Sequence, residues 1–175
     1  LQTANENYLK TMELSQVAKA YEEELNRLVV EQIAIMQQEI NTEMVRINNE
    51  IYGGRKTSPT LTISDASHYV FFTPRDGGTG AQYKGLVVFD LAMLELTRLP
   101  VIAHDSVMLK HIEDDAIEKI VELYASTPKQ VFIAMDKEGS YTPKTQKILE
   151  ATKVLQLSPG AGALFGRTWN DVERT

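Results

Sequence analysis

The feature that most constrains this fold is the stretch of residues 1–52, which contains neither glycine nor proline. Apolar side chains recur along it every 3.7 residues on average, about the period of an α-helix. A single helix of this length would extend roughly 75 Å, further than a compact domain of this size reaches. We therefore predict an arm that pairs with another helix, either upstream sequence or a second copy, with an exposed bundle helix as the alternative. The recurring positions are Leu14, Ala18, Tyr21, Leu25, Val29, Ile33, Met36, Ile40, Met44, Ile47 and Ile51.

A pair of glycines, Gly53-Gly54, ends this helical pattern at the usual place for a C-terminal glycine. We therefore divide the chain into a coiled-coil arm helix over residues 1–52 and a carboxyl-terminal lobe over residues 53–175. The lobe begins with two strand-like segments, the alternating Thr60–Ser64 and the aromatic, β-branched His68–Thr73. Their proximity predicts a β-hairpin.

A glycine-rich loop over residues 76–84 runs into a helical pattern, whose apolar segment ends at Leu96. Thr79 and Gln82 have the spacing of a capping box, so Thr79 is predicted to cap a helix that starts here. Because the segment is apolar on nearly all sides, we expect that helix to be deeply buried. Free backbone N–H groups at its amino end, next to glycines, would make an anion site.

Two short apolar runs each lead to an aspartate. Val101–His104 precedes Asp105, and Gln130–Met135 precedes Asp136. Runs of this kind suit strands that are buried on both faces of a sheet, and ligands of open α/β sheets bind at the carboxyl ends of the strands. The two carboxylates predict a metal and phosphate site at this edge, although aspartate is also a common helix N-cap.

The remaining pattern completes an α/β fold with a mostly parallel sheet and flanking helices. Apolar residues between Ile112 and Tyr124 predict an amphipathic helix, Thr142-Pro143 opens another, and Val154–Leu157 is predicted as a last strand. This β-α-β-α-β order favours right-handed crossovers and parallel strands. The glycine-rich tail Ser158–Thr168 does not have the spacing of a phosphate-binding P-loop.

Composition narrows the functional classes. A formal charge of −6 and a pI near 5.1 argue against a broad nucleic-acid-binding face. Without cysteine there is neither a disulfide framework nor a thiolate metal site, so a cytoplasmic location is expected. No apolar run reaches the roughly 18 residues of a membrane span, and no membrane partner is expected. We interpret the chain, which starts at Leu1 within a helical pattern, as a fragment of a longer protein.

The order of arm helix, hairpin, glycine loop, buried helix and strand ending in Asp105 resembles the carboxyl-terminal half of an SMC/RecN-type ABC ATPase head. Three segments give a narrower resemblance to the domain of unknown function that closes YydD-like bacterial coiled-coil ATPases. These segments are His104–Ser106, Lys110–Asp115 and Phe132–Tyr141. The resemblance covers essentially the whole chain and implies an ABC-type lobe that lacks its own P-loop.

The resemblance assigns roles to individual residues. A signature segment that touches the γ-phosphate of ATP on a partner head corresponds to Thr79, Gly80, Ala81 and Gln82. Asp105 corresponds to the Walker B aspartate, which orders the Mg²⁺ shell. Ser106 stands where the family usually has its catalytic glutamate, and it cannot serve as that base. Asp136 stands near the switch histidine that senses the γ-phosphate.

Further expectations follow from the resemblance. ATP and Mg²⁺ would bind only together with an amino-terminal half of the same parent protein, which would supply the P-loop. The fragment alone is therefore predicted to be inactive. A homodimer through the head, the coiled coil or both is expected, with DNA as a possible target of the parent complex in bacterial DNA maintenance or mobile-element defence. Spacing does not choose among Glu113, Asp114 and Glu138 as substitutes for the catalytic glutamate.

Two other functions stay open at this point. Asp105, Asp136 and Glu138 vaguely resemble the acidic triad of Toprim-type nucleases, which hold Mg²⁺ for phosphodiester chemistry. Alternatively, the chain is a coiled-coil adaptor whose globular end has lost its chemistry, and Ser106 and Asp136 favour this hypothesis.

Overall fold

The computed structural model of this protein describes residues 2–158 and 160–166. It is an α/β structure with a long amino-terminal helix, an antiparallel hairpin and a parallel two-stranded sheet with helices. The elements in chain order are α1 (Gln2–Tyr52), β1 (Thr60–Asp65), β2 (His68–Phe72), α2 (Thr79–Leu96), β3 (Val101–His104), α3 (Ser106–Leu109), α4 (Asp114–Ser126), β4 (Gln130–Ile133) and α5 (Pro143–Thr152). Two 3₁₀ turns cover Glu138–Ser140 and Gly160–Gly162.

Helix α1 is continuous, as predicted, and only its last part is buried. Its apolar stripe is buried in the last three turns of the helix. Earlier members of the same stripe, such as Tyr21, Leu25 and Met36, are exposed. The helix ends at Tyr52 and is followed by Gly53, whose φ of 58° lies in the left-handed region that a side chain disfavours. The stripe's buried members are Ile40, Met44, Ile47 and Ile51.

The predicted hairpin is confirmed, and α1 closes one of its edges. Strands β1 and β2 pair antiparallel, with Leu61 opposite Phe71 and Thr62 opposite Val70. The amide of Asn41 donates to the carbonyl of Leu61 and accepts from its N–H, both at 2.8 Å. These side-chain bonds replace the neighbouring strand that β1 lacks on this side.

Helix α2 is largely buried, but the predicted cap is wrong. Gly78 is the N-cap, Thr79 is the first helical residue, and no side chain caps this helix. The first turn closes through the N–H of Gln82, which donates to the carbonyl of Gly78. A glycine cap is tolerated because its backbone adopts the extended conformation that the position requires.

Strands β3 and β4 are parallel, as predicted, with Val101 opposite Gln130 and His104 opposite Ile133. The prediction that β3 is buried on both faces is wrong. Ile102 and His104 are buried, whereas Val101 and Ala103 are exposed. In the described part of the chain, helices pack on one face of this sheet only, so the side chains alternate between core and solvent.

The predicted last strand, Val154–Leu157, does not form. Its residues follow α5 without regular structure, and Val154 is 90% exposed. A strand needs a neighbour for its backbone hydrogen bonds, and no described strand lies beside this segment. Of the tail segment Ser158–Thr168, Pro159 and the residues from Arg167 onward lie outside the described residues.

The core lies where the end of α1, α2 and α4 meet. Its largest fully buried side chains include Met44, Ile47, Leu94, Ile117 and Ile120. The amphipathic pattern after Ile112 becomes α4, which places its apolar side in this core. None of the helices within residues 2–158 and 160–166 combines the length and the hydropathy of a membrane span.

Candidate functional site

The two strand-end aspartates reach the same edge of the sheet. The parallel register continues past the strands, because the N–H of Ala134 donates to the carbonyl of His104. Ser106, Lys110 and Asp136 therefore line one small surface depression beyond the strand ends. Asp105, which directly follows β3, and Asp136 are both exposed. The structure thus brings two of the predicted residues, Ser106 and Asp136, together with Lys110, whereas Asp105 does not line the depression.

Lys110 is the counter-ion of this cluster. Its Nζ lies 2.6 Å from a carboxylate oxygen of Asp136, and both side chains are about half exposed. The ion pair lowers the pKa of Asp136 and raises the pKa of Lys110, and Asp105 raises the latter further. Lys110 therefore holds one carboxylate directly and feels the field of the other.

The carboxylate of Asp105, in contrast, has no polar partner among the described residues. It is the N-cap of α3, yet its side chain makes no capping hydrogen bond. No hydrogen bond or ion pair engages its carboxylate within the described residues. The side chain after it, Ser106, is half-buried. The carboxylate of Asp105 is therefore unengaged at this edge of the sheet.

The signature-like segment packs against the loop that follows α3. A Cβ placed on Gly80 would lie 2.8 Å from the backbone carbonyl oxygen of His111, so only glycine fits at this position. Beside this contact, the rings of Tyr83 and His111 stack at 5.0 Å with an interplanar angle of 8°. Thr79 and Gln82 are exposed, whereas Ala81 is buried.

Lys84 connects this segment to the arm. It is buried, its Nζ donates to the carbonyl of Thr57 at 2.9 Å, and it lies 5.3 Å from the ring centroid of Tyr52 at the end of α1. Burial lowers the pKa of Lys84. The side chain therefore ties the second turn of α2 to the base of the arm.

A buried polar network supports the strand end. His104 is 3% exposed and lies between Asp90 of α2, 2.9 Å from its Nε2, and Tyr124 of α4, which bonds to its Nδ1. The Asp90 contact favours a proton on Nε2, so the Tyr124 hydroxyl donates to Nδ1. Burial, with a further contribution from Asp90, raises the pKa of Tyr124. The network fixes the residue that directly precedes Asp105.

The three candidate substitutes for a catalytic glutamate do not converge on Asp105. Glu113 pairs with Lys56 at 2.8 Å, and Glu138 pairs with Lys153 at 3.3 Å. Asp114 lines the same surface depression as Asp136. In the described ranges, no group of three or more histidine, aspartate or glutamate residues is arranged to hold a metal.

Two features of this region were not predicted from the sequence. Lys110 lies within a segment that carried the family resemblance, but nothing in its spacing indicated that it would reach Asp136. Asp90 was the single acidic residue inside the apolar run from Leu86 to Met93, and that isolation was a usable signal of a buried partner. The identity of the partner depends on how α2 packs against β3.

Comparison with known proteins adds a family and a fold. A profile of the DUF2326 family, described as an uncharacterised protein conserved in bacteria, matches residues 47–169. No curated protein matches the chain. The chain is similar to a solved structure from a study titled as the structural biochemistry of ATP-driven dimerization and DNA-stimulated activation of SMC ATPases. With 13% sequence identity, a TM-score of 0.50, and coverage of 73% of this chain and 81% of the other, the similarity concerns the fold.

Proposed function

We propose, from the premise that this chain belongs to the DUF2326 family of uncharacterised bacterial proteins, that it is the carboxyl-terminal lobe of an SMC/RecN-like ATPase head. In this proposal, residues 1–52 are a coiled-coil arm and residues 53–175 are the lobe. Two such heads pair when ATP and Mg²⁺ are bound between them. The similarity in fold to a chain from a study of SMC ATPases supports this choice over other α/β classes.

One observation carries the proposal. The exposed Thr79 and Gln82 and the unengaged Asp105 belong to two segments that meet through the contact of Gly80 with the carbonyl of His111. A signature segment must be exposed to reach a nucleotide on another head, and a metal-ordering carboxylate must be free of other partners. Thr79 and Gln82 satisfy the first condition and Asp105 the second, and the contact of Gly80 with His111 joins the two segments.

The donor set at the strand edge suits magnesium when phosphates are present. Mg²⁺ is commonly bound by one or two carboxylates together with waters and substrate phosphates, so Asp105 alone suffices on the protein side. When bound, the ion neutralises charge on the phosphates. Asp105 would orient the hydration shell of the ion, and His104, held by its buried network, would keep the strand end in place.

Two replacements make slow hydrolysis the expected behaviour. Ser106 has no proton-accepting group of suitable pKa at the position after Asp105, and Asp136 is neutralised by Lys110. In our proposal, ATP acts mainly to clamp two heads together, and Lys110 exchanges Asp136 for a phosphate oxygen as the heads close.

The missing P-loop is assigned to an amino-terminal half of a longer parent protein. The open face of the β3–β4 sheet and the segment after α5 support this assignment, because they expose a run of apolar side chains. Exposed apolar area of this kind marks a protein interface. We further propose that the parent protein is a bacterial cytoplasmic protein and that it acts on DNA as part of a complex. The exposed apolar residues are Leu99, Val101, Phe132, Val154, Leu155 and Leu157.

The decisive experiment compares ATP turnover and ATP-dependent head pairing in the full-length parent protein, wild type against Asp105→Asn, with this chain alone as the control. Asp105→Asn should fold normally and reduce pairing at least about tenfold, because a neutral amide orders the ion poorly. The chain alone should show no turnover. Equal turnover and pairing in both parent proteins would remove Asp105 from the mechanism.

The second candidate is a non-catalytic coiled-coil adaptor. The presence of Ser106 and the Lys110–Asp136 ion pair favour it, since both remove groups that fast hydrolysis uses. This alternative predicts that Asp105→Asn leaves ATP binding and head pairing by the parent unchanged. The same experiment therefore separates the two functions.

A further inference from the structure

The two outer edges of the hairpin differ in whether another element covers them. The outer edge of β1 is closed by α1, because Asn41 bonds both backbone groups of Leu61 and Gln37 accepts from the N–H of Ile63 at 2.7 Å. Helix α1 packs along β1, on the side away from β2. The outer edge of β2 has no such cover in the described chain. An uncovered edge strand is a template for another strand.

The hydrogen bonds to α1 identify which backbone groups of β2 face outward. Residues Leu61 and Ile63 direct their backbone groups to α1, so their partners in the register, Phe71 and Tyr69, form the non-hydrogen-bonded pairs of the hairpin. The N–H and C=O groups of Tyr69 and Phe71 therefore point away from β1. No backbone hydrogen bond to them occurs within the described residues.

The side chains of β2 favour pairing. The strand reads His-Tyr-Val-Phe-Phe, with β-branched and aromatic residues, and it contains neither the lysine nor the proline that often protects an edge. Tyr69 is 71%, Val70 56% and Phe72 49% exposed. Such exposure of large apolar groups on a short strand is unfavourable in a strand that stays unpaired.

We propose that β2 pairs antiparallel with β2 of a second copy of this chain, across a two-fold axis at Val70, to give a continuous four-stranded sheet. This surface is separate from both the signature-like segment and the arm, and it requires no nucleotide. A strand that pairs with its own copy about a two-fold axis matches donors to acceptors by symmetry.

The register follows from the direction of the backbone groups. Centring the axis on Val70 places Tyr69 opposite Phe71 of the second copy, and these are the two residues whose N–H and C=O groups point outward. All five residues of β2 then pair, and the two pairs contribute four hydrogen bonds. An axis at Tyr69 or Phe71 would still place outward-facing backbone groups opposite one another, but fewer residues of the two strands would pair.

The charges near the two ends of β2 also favour a second copy of this chain as its partner. Antiparallel pairing brings the turn end of one β2, where Asp65 lies, to the carboxyl end of the other, which leads to Arg75. Asp65 contacts His68 at 2.9 Å, and its pKa is lowered first by the N–H of Ser67 and then by His68. Arg75 makes no ion pair in the described part of the chain, so a carboxylate from a second copy provides a counter-charge.

The absence of cysteine makes a disulfide test direct. In a non-hydrogen-bonded pair the two Cα atoms are about 4.5 Å apart, within the range of about 4.4–6.8 Å that a disulfide spans. Val70→Cys should therefore form a cross-linked dimer under mild oxidation. Thr62→Cys, exposed on the same face but one strand further out, would hold its thiols about 14 Å apart across three strand spacings and should not cross-link.

A second pair of variants tests the backbone edge without altering the β1–β2 ladder. Tyr69→Pro removes an outward N–H, whereas Tyr69→Thr removes the same side chain and keeps that N–H. By sedimentation without nucleotide, Tyr69→Pro should raise the dimer dissociation constant at least about tenfold over Tyr69→Thr, since each copy loses one bond. Circular dichroism should show that both variants are folded.

Two results would overturn the proposal. One is a wild-type chain that stays monomeric at every concentration tested, which would assign the edge to a strand from elsewhere or to none. The other is a dimer that Tyr69→Pro leaves intact, or Val70→Cys and Thr62→Cys cross-linking at equal rates, which would move the interface to the arm.

Discussion

For Gly80, the structure explains why glycine is needed at a position that the sequence assigned only by resemblance. Resemblance assigned it to a signature segment that approaches a phosphate. The structure adds a contact inside the chain, because a Cβ at this position would lie 2.8 Å from the carbonyl oxygen of His111. The glycine is therefore required for α2 to pack on the loop after α3, whether or not a nucleotide ever lies beside it.

Gly80→Ala tests this explanation, because helix propensity and the collision change the stability in opposite directions. Helix propensity alone would make alanine more stable by about 1 kcal/mol, whereas a collision with backbone costs about 1–3 kcal/mol. We expect the collision to dominate, because a backbone carbonyl cannot move aside as a flexible side chain can. Urea unfolding should show a lower midpoint for Gly80→Ala.

The control is Gly77→Ala, three residues earlier, in the loop that precedes α2. Nothing lies within 4 Å of a Cβ at that position, and its φ is not positive. Its midpoint should stay close to that of the wild type. If Gly80→Ala were as stable as Gly77→Ala, the contact with His111 would not constrain the position.

At the scale of elements, a carboxylate of α4 binds the amino end of α5. Glu118 of α4 accepts from the N–H of Thr142 at 2.8 Å and from its hydroxyl at 2.6 Å. Thr142 is the N-cap of α5. These bonds lower the pKa of Glu118 from its ordinary value of 4.5, the hydroxyl contributing most. An acceptor at this place satisfies a free N–H of the helix end.

The lowered pKa gives the stability a defined pH dependence. Near pH 4.5 the unfolded chain binds more protons at Glu118 than the folded chain, so its contribution is present above that pH and is lost as the pH falls through the folded pKa. Glu118→Gln should lower the urea midpoint near neutral pH and reduce the fall in midpoint on acidification. Glu95→Gln, an exposed residue on α2, is the control and should change neither. An unchanged acid response in Glu118→Gln would exclude this carboxylate.

At the scale of the whole molecule, the described chain has one closed side and one open side. The end of α1, α2 and α4 bury a common core, while the outer face of the β3–β4 sheet and most of α1 expose apolar groups. Exposed apolar area of this kind is typical of a protein interface, and it agrees with our proposal that other sequence covers this side.

The proposed head pairing gives a prediction at this scale. Thr79→Arg adds a long cation at the exposed start of α2 and should block ATP-dependent pairing of the parent protein while ATP still binds to single heads. Sedimentation with ATP and Mg²⁺ measures this, in a Tyr69→Pro background so that hairpin pairing does not contribute. Glu95→Arg makes a comparable substitution at the other end of α2 and should leave pairing intact. Paired heads in the Thr79→Arg variant would separate this segment from the interface.

The sequence by itself determined the elements whose signals are local. The long helix follows from its apolar period and lack of glycine and proline, the end of α1 from its glycine pair, and α5 from Thr142-Pro143. The β-hairpin and the parallel pair β3–β4 were also predicted, because propensity, alternation and order along the chain agree there. The shared sheet edge of Asp105 and Asp136 followed from topology alone.

The tertiary structure decided what depends on neighbours distant in sequence. Burial of β3 on one face, the unpaired state of Val154–Leu157 and the glycine cap of α2 all reflect which surfaces have another element to pack against. The Lys110–Asp136 pair and the network of His104 join groups from separate elements, so spacing along the chain carries no signal for them. Local patterns fix backbone preference, but the partner of a polar side chain is chosen only when elements meet.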